Sequence, residues 1–290
     1  MMVLSGLLLI AGFFVGGYPG IIIALIISLG LNFFTYWFSD KLALSMAGAH
    51  QVSQEQDPEL HQIVEDQIRL ARIPKPRVYV INNESPNAFA TGRNPKNAAI
   101  AVTTGIRRLL TRQELGGVIA HELAHVGNRD TLIMTMVATI AMAIAMIATF
   151  AQFAMLFGGF GGGRNRENSG PGAIVGILGL LVVAIVFPLV ATLVRLAISR
   201  AREYQADATG ARTSGNPFAL ADALEKLEMG SARRPMKVNE ATAHLYIVNP
   251  LSGSSHTHQA MRADSLSSLF STHPPIQERV RRLRNMKSGW

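Results

Sequence analysis

His121-Glu122-Leu123-Ala124-His125 is the stretch that decides how this chain folds. On a helix, residues four apart sit nearly above one another on one face. Two imidazoles so placed can bind one metal ion, with Glu122 beside them in reach of a metal-bound water. Thr111 and Glu114 form a capping box that opens the helix carrying the pentad. Shortly after the pentad, residues 131–157 run without a single charged side chain. A metal site this close to such a stretch points to a membrane-embedded hydrolase.

Composition points the same way. Hydrophobic residues make up 49% of the 290 and charged residues only 16%, against about 25% charged in ordinary soluble domains. Residues 1–39, 131–157 and 173–194 carry no charge at all. Each is long enough for a hydrocarbon core that takes about 20 residues of helix. Cysteine is absent. That excludes a disulfide framework and removes thiolates as nucleophiles or ligands, so a metal must be held by His, Asp or Glu. The net charge of +8 reads as a basic juxtamembrane surface facing a lipid bilayer. No aromatic-plus-basic motif suggests a nucleic-acid partner.

The expected fold is an α-helical membrane protein with four transmembrane helices. To these is joined a mainly α (α+β) zincin-type metalloprotease domain with a small β-sheet. Residues 1–38 read as a transmembrane hairpin broken at Gly16-Gly17-Tyr18-Pro19-Gly20. The rival reading is a cleaved signal peptide; the missing basic n-region and the length of the broken apolar stretch favour a retained hairpin. Residues 39–130 are the first half of the protease domain. In them Asp57-Pro58 caps a helix with an apolar stripe, and Val78–Ile81 and Ala98–Val102 are short strands. Residues 131–198 form a second hairpin, with spans at 131–157 and 173–198 joined by the glycine-rich loop 158–172. Residues 199–290 are the second half of the domain. Asn216-Pro217 starts a helix there, with Phe218, Ala221, Leu224 and Leu227 on one face. The last helix sets Ile276, Val280 and Leu283 against Arg279, Arg281, Arg282 and Arg284, a basic amphipathic helix suited to touch lipid headgroups.

Lys41, Arg129, Arg200 and Arg202 flank one side of the spans, whereas loop 158–172 offers only Arg164 and Arg166, offset by Glu167. The positive-inside rule therefore puts both halves in the cytoplasm. A two-span hairpin returns the chain to the side it left, so the two halves can build one site.

Two imidazoles leave a zinc ion short of ligands, because a catalytic site takes three protein ligands plus water. Glu203-Tyr204-Gln205-Ala206-Asp207 supplies the rest. Glu203 is expected as the third ligand, and Asp207 as an acceptor fixing the tautomer of a liganding histidine. Glu122 is the expected general base, taking a proton from the activated water and passing it to the leaving amine. His273, in Thr272-His273-Pro274-Pro275, is the candidate donor to the developing oxyanion, with Arg202 a second candidate. Asn128 and Asp130 read as capping groups or outer acceptors. His256 and His258 read as solvated loop residues, and His50, His61 and His244 lack ligand spacing.

The pentad, Glu203-x-x-x-Asp207, the Thr-His-Pro-Pro turn and Asn87-Ala88-Phe89-Ala90, in this order among four apolar stretches, resemble the HtpX family of bacterial membrane metalloproteases, relatives of the CAAX prenyl proteases. The resemblance implies one zinc ion per subunit, held by His121, His125 and Glu203, with Glu122 as the catalytic glutamate. It implies endopeptidase activity on the cytoplasmic face of the inner membrane, in quality control of membrane proteins under stress. In that context Asn87, Ala88, Phe89 and Ala90 form an exposed edge to which an extended polypeptide substrate adds as a strand. A prenyl-protein protease is the enzyme alternative, although its larger chamber needs more than four spans. An inactive scaffold with a structural zinc has no need of Glu122. A channel component would carry intramembrane charges that these stretches lack.

Overall fold

The computed structural model describes residues 2–130, 132–134, 137, 171–233, 246–247 and 274–286. Most of the expected span 131–157, nearly all of loop 158–172, and His244, His256, His258 and His273 lie outside the described residues. The chain divides into two units, each assembled from separated segments. One comprises Met1–Thr35 with Met134–Ile198, the other Tyr36–Ile133 with Ser199–Trp290.

In the first unit, helix α1 (Met2–Met46) begins and runs on beyond the unit. It leaves helical geometry at Gly16 and Gly17, the latter at φ 57 and ψ −137, a conformation that a side chain resists. The break thus falls where the glycine cluster stands, while Pro19 lies inside helical structure. Ile22, Ile23, Ile26, Leu29 and Phe33 are all exposed along α1. Among the described residues, no helix is long and apolar enough to cross a membrane.

The second unit is built on a four-stranded sheet of order β1-β2-β4-β3. The strands are β1 (Ala49–Gln51), β2 (Arg77–Ile81), β3 (Ala88–Thr91) and β4 (Ala99–Thr103). β2 and β4 run parallel, with Arg77 opposite Ala99. β3 is antiparallel to β4 at the edge, with Ala88 opposite Val102 and Thr91 opposite Ala99. β1 goes unnoticed in the sequence because its three residues are too few to show an alternation.

Helices α2 (Pro58–Ala71), α3 (Thr104–Leu109), α4 (Arg112–Gly127), α5 (Pro171–Ser214, entering this unit at residue 199), α6 (Pro217–Arg233) and α7 (Ile276–Arg284) complete the described residues. Their starts are set by local chemistry. Asp57 accepts from the Leu60 N–H at 3.1 Å ahead of Pro58. The Thr111/Glu114 box closes both ways at α4. Asn216 accepts from the Ala219 N–H at 3.0 Å. Such caps are each worth about 1 kcal/mol.

Strand alternation divides the core. Val78, Ala88, Ile100 and Val102 join Leu60, Val118, Ile119, Leu224 and Leu283 in the larger cluster between sheet and helices. Ile81, Phe89, Ala99 and Ala101 turn the other way, into a smaller cluster with Leu44 and Tyr246. On α6 the buried face is Leu220, Ala221, Leu224 and Leu227. Phe218, expected on that face, is 43% exposed, because the buried stripe runs from Pro217 to Leu220, Ala221, Leu224 and Leu227 and passes beside it.

Candidate metal centre

α4 stacks His121 and His125 one turn apart, their rings nearly perpendicular at 89°. Their Nε2 atoms are 3.1 Å from each other. α5 brings Glu203 to them, Oε2 at 3.7 Å from Nε2 of His121 and Oε1 at 3.6 Å from Nε2 of His125. Glu203, Asp207 and Gly210, spaced four and three apart, share one face of α5. Gly210 permits the approach, since a Cβ there would lie 2.8 Å from both N and Cα of His121.

The outer ring nitrogens decide the tautomers. His121 Nδ1 lies 2.9 Å from Asp207 Oδ1, and His125 Nδ1 lies 2.6 Å from Asp130 Oδ2. A carboxylate only accepts, so a ring nitrogen facing one favours the tautomer with the proton on Nδ1 and the Nε2 lone pair turned inward. Two lone pairs and a carboxylate then face one small space; the Arg279 guanidinium borders it, Nη2 at 3.4 Å from His121 Nε2, and a metal cation among the three donors would be stabilised there. Donors held tetrahedrally at about 2.0–2.2 Å from a zinc ion stand about 3.3–3.6 Å apart. The observed 3.1 Å between the nitrogens is close to that spacing, as are 3.6 and 3.7 Å to the two oxygens of Glu203, and one ligand atom from each residue lies within 4.8 Å of the others. The donor set, two nitrogens and one oxygen, fits zinc.

Arg279 is the residue that the sequence reading misplaces. It is not on a lipid-facing surface but fully buried. Its Nε and Nη2 donate to the two oxygens of Asp207 at 2.8 and 2.7 Å, and its Nη1 donates to the Ile247 carbonyl at 3.4 Å. Nη1 also stands 3.6 Å from Glu203 Oε2. Burial opposes ionisation of Asp207, but Arg279 and His121 outweigh it and hold the carboxyl well below the usual range. The signal was present in the spacing: Arg279 falls three residues after Ile276 and four before Leu283, on the apolar stripe itself. Arg281, Arg282 and Arg284 are exposed, as a basic outer face requires.

Glu122 is buried beside the two histidines, and its Oε2 accepts from the Ala90 N–H at 2.8 Å. Burial pushes its carboxyl above the ordinary value, against the opposing pull of His121 and His125. β3 is the edge strand, but Asn87, Ala88 and Phe89 are buried, so the expected exposure is not found there. The Ala88 carbonyl accepts from the Ile247 N–H at 3.1 Å, and the Tyr246 ring meets Phe89 edge-on at 5.1 Å. Ala90 and Thr91 are the partly exposed part. Arg202, the second candidate for the oxyanion, is instead engaged with Asp130, the Asn128 carbonyl and Gln205. Asp130 acts as an outer acceptor, one of the two roles read for it.

The model of peptidase family M48 matches residues 54–287, most of the chain. The chain belongs to peptidase family M48. This M48 member is 50% identical to a protease HtpX homolog of Persephonella marina, over 98% of the chain and 94% of the relative. It is 50% identical to that of Aquifex aeolicus over 96% and 88%, and 48% identical to that of Pyrococcus furiosus over 99% and 93%. Its fold is similar to that of S. mikatae Ste24p, with a TM-score of 0.55 and 18% identity. That alignment covers 96% of this chain but only 62% of the longer Ste24p. The chain is thus a zinc-dependent metallopeptidase, with His121, His125 and Glu203 grouped as a set able to hold a metal ion.

Proposed function

We propose that this M48 peptidase is a membrane-embedded zinc endopeptidase in which His121, His125 and Glu203 hold the metal and Glu122 is the general base. The observation that carries this reading is the convergence of two Nε2 lone pairs and the Glu203 carboxylate beside a buried Glu122. A zinc ion bound there supplies Lewis acidity, making a water acidic enough to lose a proton near neutral pH. Glu122 accepts that proton and delivers it to the leaving amine nitrogen as the peptide C–N bond breaks, the hydroxide remaining on the new carboxylate. The Ala90 N–H fixes the Glu122 carboxylate for this transfer. Asp207 and Asp130 favour the tautomer with the proton on Nδ1, which leaves each Nε2 lone pair facing inward, and Arg279 keeps Asp207 ionised. His273 is the proposed donor to the oxyanion.

The proposed anchor is four spans, two within residues 1–38 and two at 131–157 and 173–198, with 39–130 and 199–290 forming the protease domain on the cytoplasmic side. The exposed apolar side chains of α1 suit contact with lipid. Substrates are polypeptides, foremost misfolded or damaged membrane proteins. They would pair along Ala90 and Thr91 by backbone contacts that tolerate varied side chains. The test is cleavage of an unfolded membrane protein by the purified enzyme in detergent. Activity should require both zinc and Glu122, so Glu122→Gln and chelator each abolish it and zinc restores the latter. Stoichiometric zinc with no cleavage would overturn the endopeptidase reading.

A further inference from the structure

Beyond the metal ligands the site opens into a cavity of about 610 Å³. Ala90 and Gly92 from the edge strand, His125 from α4, and three cations, Arg93, Lys96 and Arg129, line it. Among the described residues no carboxylate lines it, and none of the three cations is ion-paired.

Local structure holds the cations in place. Gly92 has φ 138, and a Cβ there would lie 2.5 Å from the Asn97 carbonyl oxygen, so the chain folds closely back on itself. Asn94 caps the turn Pro95–Asn97 by accepting from the Asn97 N–H at 3.0 Å. Arg93 lies over the Trp37 ring, 3.8 Å from its centroid. Arg129 stands just past the end of α4 at φ 57. Three like charges around one cavity repel one another until an anion enters, and the walls concentrate their field. Ala90 and Thr91 line this space too, and it shares His125 with the metal site, so a substrate strand added along that edge would lead into it.

We propose that this cavity is a specificity subsite for Asp or Glu side chains of the substrate, close to the scissile bond. The inference rests on the peptidase reading above and adds a preference to it. Lys96 and Arg129 are exposed and supply the charge most open to a substrate; Arg93 adds to it from its seat on Trp37.

The test uses the full-length zinc-loaded enzyme in detergent and matched quenched-fluorescence peptides. Members of a pair differ only by Glu or Gln, placed in turn at three positions on each side of the bond. At one or two adjacent positions the wild type should favour Glu by roughly fivefold to tenfold in kcat/KM, less at high salt. The double variant Lys96→Glu/Arg129→Glu should lose that preference and favour Lys over Gln at the same positions. Lys96→Glu alone should fall between. A wild type that cleaves Gln peptides without favouring Glu anywhere overturns the proposal, as does a preference that survives reversal. Unchanged preference with weakened binding to phosphatidylglycerol vesicles assigns these cations to the lipid surface and also overturns it. If the wild type cleaves no peptide at all, the peptidase reading fails and the subsite falls with it.

Discussion

Gly210 lies directly against His121: a side-chain carbon on Gly210 would come within 2.8 Å of the backbone N and Cα of that histidine. The obstacle is backbone, which has no rotamer to change. Gly210→Ala should therefore push α5 from α4 and move Glu203 and Asp207, which share its face, away from the two histidines. The expected cost is about 1–3 kcal/mol of stability, with weaker zinc binding. Thermal denaturation and zinc titration check both; an alanine variant that melts and binds zinc like the wild type would refute the close packing.

Asp207 and Arg279 are each uncompensated without the other. Asp207→Asn should destabilise the fold by about 3–5 kcal/mol, because it strands a buried guanidinium. It should also lower zinc affinity about 10–100-fold by releasing the Nδ1 proton of His121 from its acceptor. Asp130→Asn should produce the affinity loss through His125, with less effect on stability. A double-mutant cycle pairing Asp207→Asn with Arg279→Met should show strong coupling, and additive effects would refute the pairing.

Much of this arrangement was legible in the chain, and the reasons are local. The His121/His125 spacing, the Thr111 box and the Glu203/Asp207 pair all act within one or two helical turns, so their geometry follows from helix periodicity. Asp57 and Asn216 likewise announce their caps. The place of Arg279 on the apolar stripe was legible from its spacing to Ile276 and Leu283, but its partner was not, since nothing in the chain sets Asp207 opposite it. The role of Asp130 depends on how α4 ends at Asn128 and Arg129, which only the fold decides. Ile247 and Tyr246 meet β3 through a long-range contact for which the sequence carries no pattern.

Glu114 links the start of α4 to α6. Its carboxylate accepts from the Thr111 N–H at 2.9 Å and from Lys226 Nζ at 2.7 and 2.8 Å. Burial works against its ionisation, but Lys226 and the Thr111 N–H prevail and hold it below its ordinary value. A depressed carboxylate stabilises fully above its unfolded pKa, about 4.3. That contribution disappears as pH falls through the folded value. Stability should therefore drop with acidification below about pH 4.3, and Glu114→Gln should flatten that part of the profile. Equal slopes for wild type and variant would contradict the assignment.

Tyr246 is fully buried, and its hydroxyl has no hydrogen-bond partner among the described residues. Burial pushes the phenol up to about 12. Its neutral form is thus favoured in the fold, a contribution complete below the unfolded value of about 10 and lost as pH rises through about 12. Ultraviolet titration should show one of the five tyrosines ionising late, and Tyr246→Phe should abolish that phase. The same variant should be neutral or stabilising by up to about 1 kcal/mol, since it removes an unsatisfied polar group. A loss well beyond that would mean the hydroxyl is bonded.

His121 and His125 belong to the segment ending at Ile133, whereas Glu203, Asp207 and Arg279 belong to the one that resumes at Ser199. A ribosome that has reached Gly127 has made both imidazoles and none of their partners. The full donor set exists only when Glu203 on α5 has been synthesised, and the buried Arg279 guanidinium on α7 arrives later still. The newborn chain therefore carries half a catalytic centre until translation has passed well beyond the pentad.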